Sequence, residues 1–354
     1  MTENRAVIAA AGSRKTAQII EDAISVRSGR VLITTYTNEN QQQLVRRIEE
    51  KLGSVPANIT IMGWFSFLIG QCAKPFQRAI TGAPLMISGL NFVGKRHKFA
   101  RKDTIGYFLD RSGAMYRDGV ANFAVDINLK TGGAVIDRLE RIYSHIYIDE
   151  VQDLVGYDLD ILDLLLRSRI KLTVVGDPRQ HTLLTNICTR NKKYRGDKIL
   201  DWLKERQSIC DLETRANSYR CNQDVCDFAD ALYPHMTPTR SIDVPVTGHD
   251  GIFMITSADS RKYCEKYNPV TVLRHDKNTD TLGLSAMNIG VSKGSTFDRV
   301  LIFPTQPMLN YLKNRDVTKL KAPEKLYVAV TRARHSVAFA IPTDKAESLS
   351  LLSF

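Results

Sequence analysis

Short runs of apolar, often β-branched residues alternate with helical patterns along nearly the whole chain, and this alternation strongly limits the fold. The apolar runs predict strands at Arg5–Ala10, Val31–Tyr36, Ile59–Met62, Ile146–Ile148, Leu172–Val175, Ile252–Ile255, Val270–Leu273, Val300–Phe303 and Val337–Ile341. Consecutive apolar positions are typical of strands that helices cover on both faces. Helical patterns lie between them, as at Thr16–Val26, Asn40–Leu52, Asp158–Leu166 and Asn222–Ala231. We therefore predict an α/β fold with parallel sheets.

The alternation pauses at two places, and these pauses suggest how the chain is divided. Residues 70–140 show no clear strand pattern and contain a basic run, Lys95–Lys102, so they are predicted to form a small helical insertion. Residues 186–200 are polar and basic, which places a lobe boundary near residue 190. A chain of 354 residues is long enough for the two resulting lobes, 1–190 and 191–354.

Composition narrows the class of protein. Apolar residues make up 43% of the chain and charged residues 25%, as in globular proteins. No apolar run approaches the roughly 20 residues that span a bilayer, and the N-terminus lacks a signal-peptide pattern, so a cytoplasmic protein without a membrane partner is expected. The six cysteines show no zinc-ligand spacing and are expected to be reduced. The net charge of +11 favours an anionic partner such as nucleic acid, although charge alone would also suit a membrane surface or solubility.

The segment A-A-A-G-S-R-K-T, at Ala9–Thr16, follows one predicted strand and opens a predicted helix. In that context, backbone N–H groups and the helix N-terminus hold phosphate groups. Lys15 would reach the outer phosphates, and the Thr16 hydroxyl would ligate Mg²⁺. Arg14 stands where the usual pattern has glycine, so this segment alone also fits a small-residue turn without a ligand. The predicted phosphate cradle consists of Ala11, Gly12, Ser13, Arg14, Lys15 and Thr16.

Two further predicted strands end in polar turns. The segment I-Y-I-D-E-V-Q-D places Asp149 and Glu150 at the carboxyl edge of the sheet, beside a phosphate loop. Asp149 would hold Mg²⁺ through its water shell, and Glu150 would orient or deprotonate the attacking water. The segment T-V-V-G-D-P-R-Q places Gln180 to sense a phosphate. Taken singly, the acidic pair also fits a helix cap, and the Gly-Asp-Pro sequence fits an ordinary β-turn.

In this order, the three segments resemble the motifs of the UvrD/Rep/PcrA branch of superfamily 1 helicases. Ser218–Arg220 resembles motif IV, Ser292–Asp298 resembles motif V, and Tyr327–Arg334 matches motif VI closely. Near the start, Thr35–Asn38 resembles motif Ia, and Gly63–Phe67 is a looser match to motif Ib. The resemblance covers nearly the whole chain. It implies two RecA-like parallel-sheet lobes, with the insertion in the first.

The resemblance also implies an activity, namely ATP-driven translocation along single-stranded DNA (with RNA not excluded), with ATP and Mg²⁺ as cofactors. Arg220 and Arg332 would reach the γ-phosphate, where guanidinium groups stabilise the transferred phosphoryl group. Gly294, in the motif V segment, would lie at the nucleotide, and Lys293 at the nucleic acid.

The path of the strand is implied by aromatic and polar residues that follow predicted strands. Tyr36 would stack on a base, while Thr37 and Asn38 would contact phosphate. Trp64 and Phe65 would form a second stacking platform, although both residues equally suit the core. Tyr194 lies within a basic segment directly after Gln180 and is predicted to contact the strand. The Lys95–Lys102 run remains balanced between a nucleic-acid contact and a solvated face.

The chain departs from the resembled family at several points. Only eight residues precede Ala9, too few for the family's adenine-recognising glutamine motif, so weak base selectivity is expected. Val270–His275 leads almost directly into Leu284–Ile289, which leaves no room for the family's large second-lobe insertion. Thr296 replaces the motif V glutamate that contacts the ribose.

These departures keep a second hypothesis open. Arg14 would either obstruct the phosphate site or add a phosphate donor. The alternative to a motor is therefore a nucleotide- and DNA-binding sensor or regulatory subunit with weak or no hydrolysis, working with a partner such as a nuclease. A metabolic P-loop kinase does not fit the paired arginines and the second lobe.

Overall fold

The computed structural model describes residues 3–81, 87–101 and 104–348 of the chain. The backbone divides into two compact units, one of Met1–Ile8 with Lys15–Thr214, and one of Ala9–Arg14 with Arg215–Phe354. Each unit contains a sheet whose registered strand pairs are parallel. The predicted α/β fold with parallel sheets is therefore confirmed.

The sheet of the first unit has six strands in the order β3-β2-β6-β7-β1-β8. A separate parallel pair, β4 with β5, lies in the insertion. The strands are β1 (Arg5–Ala9), β2 (Val31–Thr35), β3 (Ile59–Gly63), β4 (Gly89–Asn91), β5 (Ala114–Tyr116), β6 (His145–Ile148), β7 (Lys171–Gly176) and β8 (Asp211–Arg215). The α-helices are α1 (Lys15–Ser25), α2 (Asn38–Leu52), α3 (Trp64–Phe67), α4 (Arg78–Thr81), α5 (Val120–Lys130), α6 (Ala134–Ile142), α7 (Tyr157–Leu166) and α8 (Ile199–Lys204).

The direction of these strands decides where the polar segments gather. β1, β7, β6, β2 and β3 are joined by parallel pairs, so their carboxyl ends meet at one edge of the sheet. Strand β2 is buried at every position, as its uninterrupted apolar and threonine sequence predicts. The segments that leave this edge are residues 36–38, 64–65, 149–150 and 177–180. Ligand sites in parallel sheets form at such an edge.

Helix α2 illustrates how local sequence sets an element's ends. The Thr37 hydroxyl accepts a hydrogen bond from the Asn40 backbone N–H at 3.1 Å and caps the helix N-terminus. At the other end, Gly53 adopts φ 81° and donates its N–H to the Glu49 carbonyl at 2.7 Å. Both ends follow from short-range hydrogen bonding, which explains why the predicted and observed helices nearly coincide.

The insertion is mainly helical, as predicted, but it also contains the short β4–β5 pair. These strands are three residues long, too short for a periodic pattern to reveal them. A π-helix, Leu68–Ala73, leads into the insertion, and α5 and α6 close it. Within the basic run, residues 95–101 form neither helix nor strand, and Lys102 lies outside the described residues.

The second unit has a five-stranded sheet in the order β11-β15-β14-β12-β13, and all of its pairs are parallel. Residues 275–286, between β12 and β13, form turns and irregular backbone. The strands are β9 (Asn217–Ser218), β10 (Arg240–Ser241), β11 (Gly251–Thr256), β12 (Val270–Arg274), β13 (Met287–Asn288), β14 (Phe297–Phe303) and β15 (Ala333–Ile341). The α-helices are α9 (Gln223–Asp230), α10 (Ser260–Lys266), α11 (Gln306–Asn314) and α12 (Pro323–Val330).

The boundary between the units lies at Thr214/Arg215, downstream of the boundary predicted near residue 190. The polar segment around that position contains apolar side chains that pack into the core of the first unit, namely Tyr194, Ile199, Trp202 and Leu203. The Asp211 N–H then donates to the Asn4 carbonyl at 2.9 Å, which joins β8 to the sheet beside β1. The correction arises because tertiary burial outweighs the polar average of the segment.

Candidate functional site

The turn that follows β6 carries a buried pair of carboxylates, Asp149 and Glu150, near the start of α1. The Thr16 hydroxyl donates to Asp149 Oδ2 at 2.9 Å. Burial and the neighbouring charge of Glu150 raise the pKa of Asp149 to about 6, against the opposing effects of Lys15 and the Thr16 hydrogen bond. Both carboxylates are nearly inaccessible to solvent. The site is therefore short of positive charge.

This shortage suits a divalent cation, since a bound metal ion stabilises ionised carboxylates that burial disfavours. Among the described residues, no group of three or more histidine, cysteine or acidic side chains could hold a metal ion by itself. Mg²⁺ commonly takes only one or two protein ligands and completes its octahedron with water and substrate phosphates. The donors Thr16 and Asp149 fit that pattern.

Glu150 is held by a neighbour whose role the sequence analysis missed. Its backbone adopts a left-handed conformation, φ 61°, and its carboxylate accepts a hydrogen bond from Gln152 Nε2. Gln152 is fully buried, and its Oε1 accepts the Asp177 N–H at 3.1 Å. A Cβ added at Gly176 would lie 2.3 Å from that same oxygen. Gln152 thus fastens the acidic turn after β6 to the turn after β7, and Gly176 leaves it room.

Gln180, a predicted catalytic residue, lies in the turn that follows β7. Its Nε2 donates to Asp177 Oδ2 at 2.8 Å, and Arg179 Nε donates to Asp177 Oδ1 at 2.9 Å. Burial would raise the pKa of Asp177, but Arg179, Lys15 and the hydrogen bonds hold it below its usual value. Asp177 therefore remains ionised and orients both side chains. The sequence predicted Gln180 but gave Asp177 no role beyond the turn.

The predicted phosphate loop, of which residues 9–14 are grouped with the second unit, contacts the segment that resembles motif IV. Gly12 has φ 79°, and a Cβ there would lie 2.6 Å from both Arg220 Cβ and Ser218 Oγ. The Tyr219 N–H donates to the Gly12 carbonyl at 3.0 Å. Glycine is therefore required at this position for conformation and for space.

Two loop side chains bear on phosphate binding. Ser13 is mostly buried, and its Oγ has no hydrogen-bond partner within the part of the chain that the structure describes. An unpaired buried hydroxyl calls for a ligand or water partner, and a phosphate oxygen meets that need. Arg14 adopts φ 62°, and its guanidinium carbon lies 4.1 Å from the centre of the Tyr219 ring. In this structure the Arg14 charge is directed at an aromatic face.

The two predicted γ-phosphate arginines also lie in the second unit. Arg220 Nη1 donates to the Thr331 carbonyl at 3.1 Å. Arg332 is almost completely buried, and it donates from Nε to the Val328 carbonyl at 3.0 Å and from Nη1 to the Ser295 carbonyl at 3.3 Å. Backbone carbonyls of the segments that resemble motifs V and VI thus hold the Arg332 side chain. The preceding Gly294 has φ 89°, and Lys293 is buried.

All the predicted nucleic-acid residues of the first unit except Tyr194 line a cavity of about 650 Å³. The rings of Tyr36 and Phe65 meet edge to face, with centroids 5.7 Å apart. Burial raises the pKa of Tyr36 to about 12, so the hydroxyl stays neutral, and it donates to the Leu184 carbonyl at 3.4 Å. The lining includes Tyr36, Thr37, Asn38, Trp64 and Phe65 from the predicted set, and Phe92, Arg117, Leu183 and Ile187 outside it.

Two of the predicted stacking residues need correction. Trp64 is 1% exposed, and its indole N–H donates to Asp158 Oδ1 at 2.8 Å. Tyr194 is 8% exposed, and its hydroxyl donates to the Glu205 carboxylate. A base stacks only on an accessible ring face, so neither side chain fits that role here. Both instead contribute to the core of the first unit.

Asp158 explains why the Trp64 ring is held inside. It is fully buried, and it accepts hydrogen bonds from Trp64, from the Thr185 hydroxyl and from Asn186 Nδ2. Burial raises its pKa to about 6 despite these hydrogen bonds. The residue ties the segment after β3 to the segment after Gln180. Its place in an apolar helix pattern did not suggest this function.

One protein family matches part of the first unit. The profile of the UvrD/REP helicase N-terminal domain matches residues 113–182, which include the acidic turn and Gln180. The resemblance to superfamily 1 helicases is confirmed. No curated protein matches the chain. Among the described residues, no helix has both the length and the apolar character needed to cross a membrane.

Solved structures with a similar fold include viral helicases. Arterivirus nonstructural protein 10 (helicase) aligns with a TM-score of 0.50 at 16% identity, covering 98% of this chain and 62% of that one. The PRRSV helicase aligns with a TM-score of 0.49 at 18% identity, covering 100% and 56%. The arterivirus helicase in complex with DNA gives 0.49 at 14% identity, covering 98% and 63%. The chain thus spans less than two thirds of each, and the first of these alignments shows a likeness of fold alone.

Proposed function

We propose that the chain is a nucleic-acid-dependent ATPase that translocates along single-stranded nucleic acid, with DNA as the first candidate substrate. The observation that carries this proposal is the hydrogen bond from Thr16 to Asp149, a buried carboxyl group whose pKa is raised to about 6. Asp149 lies beside Glu150 at the carboxyl edge of a parallel sheet. A hydroxyl, two carboxylates and a lysine in this arrangement suit a magnesium nucleotide.

Each residue of the set has a proposed task. Mg²⁺, when bound, would neutralise phosphate charge, with Thr16 and Asp149 holding it. Lys15 would pair with the outer phosphates, as Ser13 and the loop N–H groups bind phosphate oxygens. Glu150, oriented by Gln152, would accept the proton of the attacking water. Gln180 would sense the phosphate, and Arg220 and Arg332 would stabilise charge on the transferred phosphoryl group.

The test is an ATPase assay on the full chain with and without single-stranded DNA and RNA. We expect a severalfold stimulation by the strand, and loss of turnover in Lys15→Ala and Glu150→Gln. Since Glu150→Gln keeps the size of the side chain, it should retain nucleotide binding while turnover is lost. A basal rate indifferent to nucleic acid and to both substitutions would exclude the proposal.

A second candidate function is a nucleotide- and DNA-binding sensor with weak hydrolysis, serving a partner such as a nuclease. The position of Arg14, at φ 62° against the Tyr219 ring, favours it, because a bulky cation replaces the usual glycine of the loop. The discriminating variant is Arg14→Gly. A large gain in strand-stimulated turnover would support a natively damped site, whereas an unchanged high rate would favour the motor.

A further inference from the structure

The insertion in the first unit places two residues, Phe92 and Arg117, at the cavity that Tyr36 and Phe65 line. Strands β4 and β5 are parallel and in register, with Asn91 opposite Tyr116. The residues that follow these two positions are therefore brought together, and the Arg117 guanidinium carbon lies 5.2 Å from the centre of the Phe92 ring. This small sheet sets an aromatic ring and a cation side by side.

Phe92 combines an exposed ring with contact to the buried rings of the cavity. It is 50% exposed, while its ring meets Phe65 edge to face with centroids 6.3 Å apart. Phe65 in turn meets Tyr36, so the three rings form a continuous aromatic series along the cavity. An accessible ring face of this kind can stack on a base.

The bend that carries Phe92 is fixed on both sides of the ring. Asn91 Nδ2 donates to Asp110 Oδ2 at 2.7 Å, and Asn91 Oδ1 accepts the Gly94 N–H at 2.7 Å. The chain holding the ring is thus anchored before and after it. Preorganisation of this kind lowers the entropic cost of stacking a ligand on the ring.

Arg117 supplies the cation at the cavity that can pair with a phosphate of a strand. Its Nε pairs with Asp118 at 3.4 Å, and Asp118 also accepts the Ile187 N–H at 3.3 Å. Of the residues that line the cavity, Glu39 is acidic and Arg117 is basic. The basic run that begins at Lys95 follows Phe92 closely in the sequence. Single-strand binding surfaces combine aromatic rings, on which bases stack, with cations that hold the backbone.

We propose that Phe92 and Arg117 form a base-binding subsite for single-stranded nucleic acid, in which one base stacks on the Phe92 ring and a neighbouring phosphate pairs with Arg117. The cavity, at about 650 Å³, lies in the range of sites that enclose small ligands. The subsite rests on the proposed function. It extends that function by giving the insertion a direct part in holding the strand.

The decisive experiment measures equilibrium binding of the full chain to fluorescein-labelled oligothymidylate and oligouridylate. Stacking contributes about 1–3 kcal/mol per base, which corresponds to roughly 5- to 150-fold in affinity. We expect Phe92→Ala to weaken binding by this factor and Phe92→Trp to retain it. Leu129→Ala is the matched control, since Leu129 is 79% exposed in the same insertion but neither lines the cavity nor belongs to the basic run.

An abasic oligonucleotide separates stacking from backbone contact. Phe92→Ala should bind the abasic strand as the wild-type protein does, because that strand offers no base to stack. Arg117→Gln should weaken binding to both strands and reduce the slope of log affinity against log salt by about 0.7, whereas Arg117→Lys should keep the slope. Equal losses in Phe92→Ala and Leu129→Ala, or wild-type affinity in Phe92→Ala, would overturn the subsite alone. A wild-type protein with no affinity for either oligonucleotide would overturn the proposed function as well.

Discussion

Arg14 carries an uncommon backbone conformation for a residue with a side chain. Its φ of 62° lies in the left-handed region, where a Cβ costs roughly 1 kcal/mol relative to glycine. The guanidinium offsets part of this cost by facing the Tyr219 ring at 4.1 Å, a contact worth roughly 0.5–1 kcal/mol at an exposed site. The sequence left two alternatives open for Arg14, namely obstruction of the phosphate site or an added phosphate donor. Which of them holds depends on whether the Arg14 side chain leaves the Tyr219 ring.

Substitutions at Arg14 should separate the backbone cost from the side-chain contact. Arg14→Ala keeps the strained φ and loses the ring contact, so its free energy of unfolding should fall by about 1 kcal/mol. Arg14→Gly loses the contact but relieves the strain, and it should stay close to the wild-type value. Urea denaturation of the three proteins checks the order. A glycine variant less stable than the alanine variant would contradict it.

Asp149 links pH to magnesium binding. With a pKa of about 6 in the absence of metal, its carboxyl group is ionised above that pH and protonated below it. Mg²⁺ binds only the ionised form, so the magnesium concentration required for half-maximal ATPase activity should rise as pH falls from 7.5 to 5.5. Below the pKa the rise approaches about tenfold per pH unit.

A titration of Mg²⁺ at several pH values measures this effect. Excess Mg²⁺ should restore much of the rate at low pH, because the metal ion competes with the proton. Asp149→Asn serves as the control, since it removes the titrating group and should leave any remaining magnesium requirement insensitive to pH. A requirement equal at both ends of the range in the wild-type protein would refute the role of Asp149.

At the scale of elements, buried side chains connect the turns that leave the sheet of the first unit. Gln152 joins the turn after β6 to the turn after β7, and Asp158 joins the segment after β3 to residues 185–186. These connections set the relative positions of Glu150, Gln180 and the cavity rings. None of them is visible as a periodic pattern, because each joins residues far apart in sequence.

The close approach at Gly176 provides a test of the Gln152 connection. Gly176→Ala would set its Cβ 2.3 Å from Gln152 Oε1 and 2.9 Å from Val151 Cγ1, so both side chains must move. We expect a loss of roughly 1–3 kcal/mol in the free energy of unfolding, with reduced turnover because Glu150 loses its orienting partner. Gly106→Ala is the matched control, because an added Cβ there meets nothing within 4 Å. Similar urea midpoints for the two variants would count against the connection.

At the scale of the whole molecule, the net charge of +11 bears on how tightly any strand is held. Binding that neutralises phosphates releases counterions, so affinity falls with salt with a slope of about −0.7 per contacted phosphate of a single strand. For a few such contacts, raising the salt from about 50 to 200 mM should weaken binding by on the order of tenfold to a hundredfold.

A methylphosphonate oligonucleotide, which lacks backbone charge, is the control for this salt dependence. Its binding, if measurable through base stacking, should change little over the same range. Fluorescence anisotropy over a salt series gives both slopes. A flat response of the natural strand would show that charge does not hold it.

The local patterns of the sequence determined much of this protein. Consecutive apolar runs placed the main strands of both sheets, because a strand buried on two faces has no polar positions. The residues after those strands, Lys15–Thr16, Asp149–Glu150 and Gln180, could be predicted as site residues because chemistry and spacing are local properties. The unit boundary, the β4–β5 pair and the connections through Gln152 and Asp158 were not, since they depend on contacts between distant segments.

The aromatic residues mark the limit of what the sequence by itself determined. It identified rings next to strand ends, but only the tertiary structure decided which ring faces are accessible. Trp64 is buried because Asp158 accepts its indole N–H inside the first unit, while Tyr194 packs its ring into the core and donates its hydroxyl to the exposed Glu205. Phe92 did not stand out in the sequence. The register of β4 and β5 sets it beside Arg117 at the cavity, and its ring is exposed there. Accessibility is a property of packing, and packing brings together residues that the sequence keeps apart.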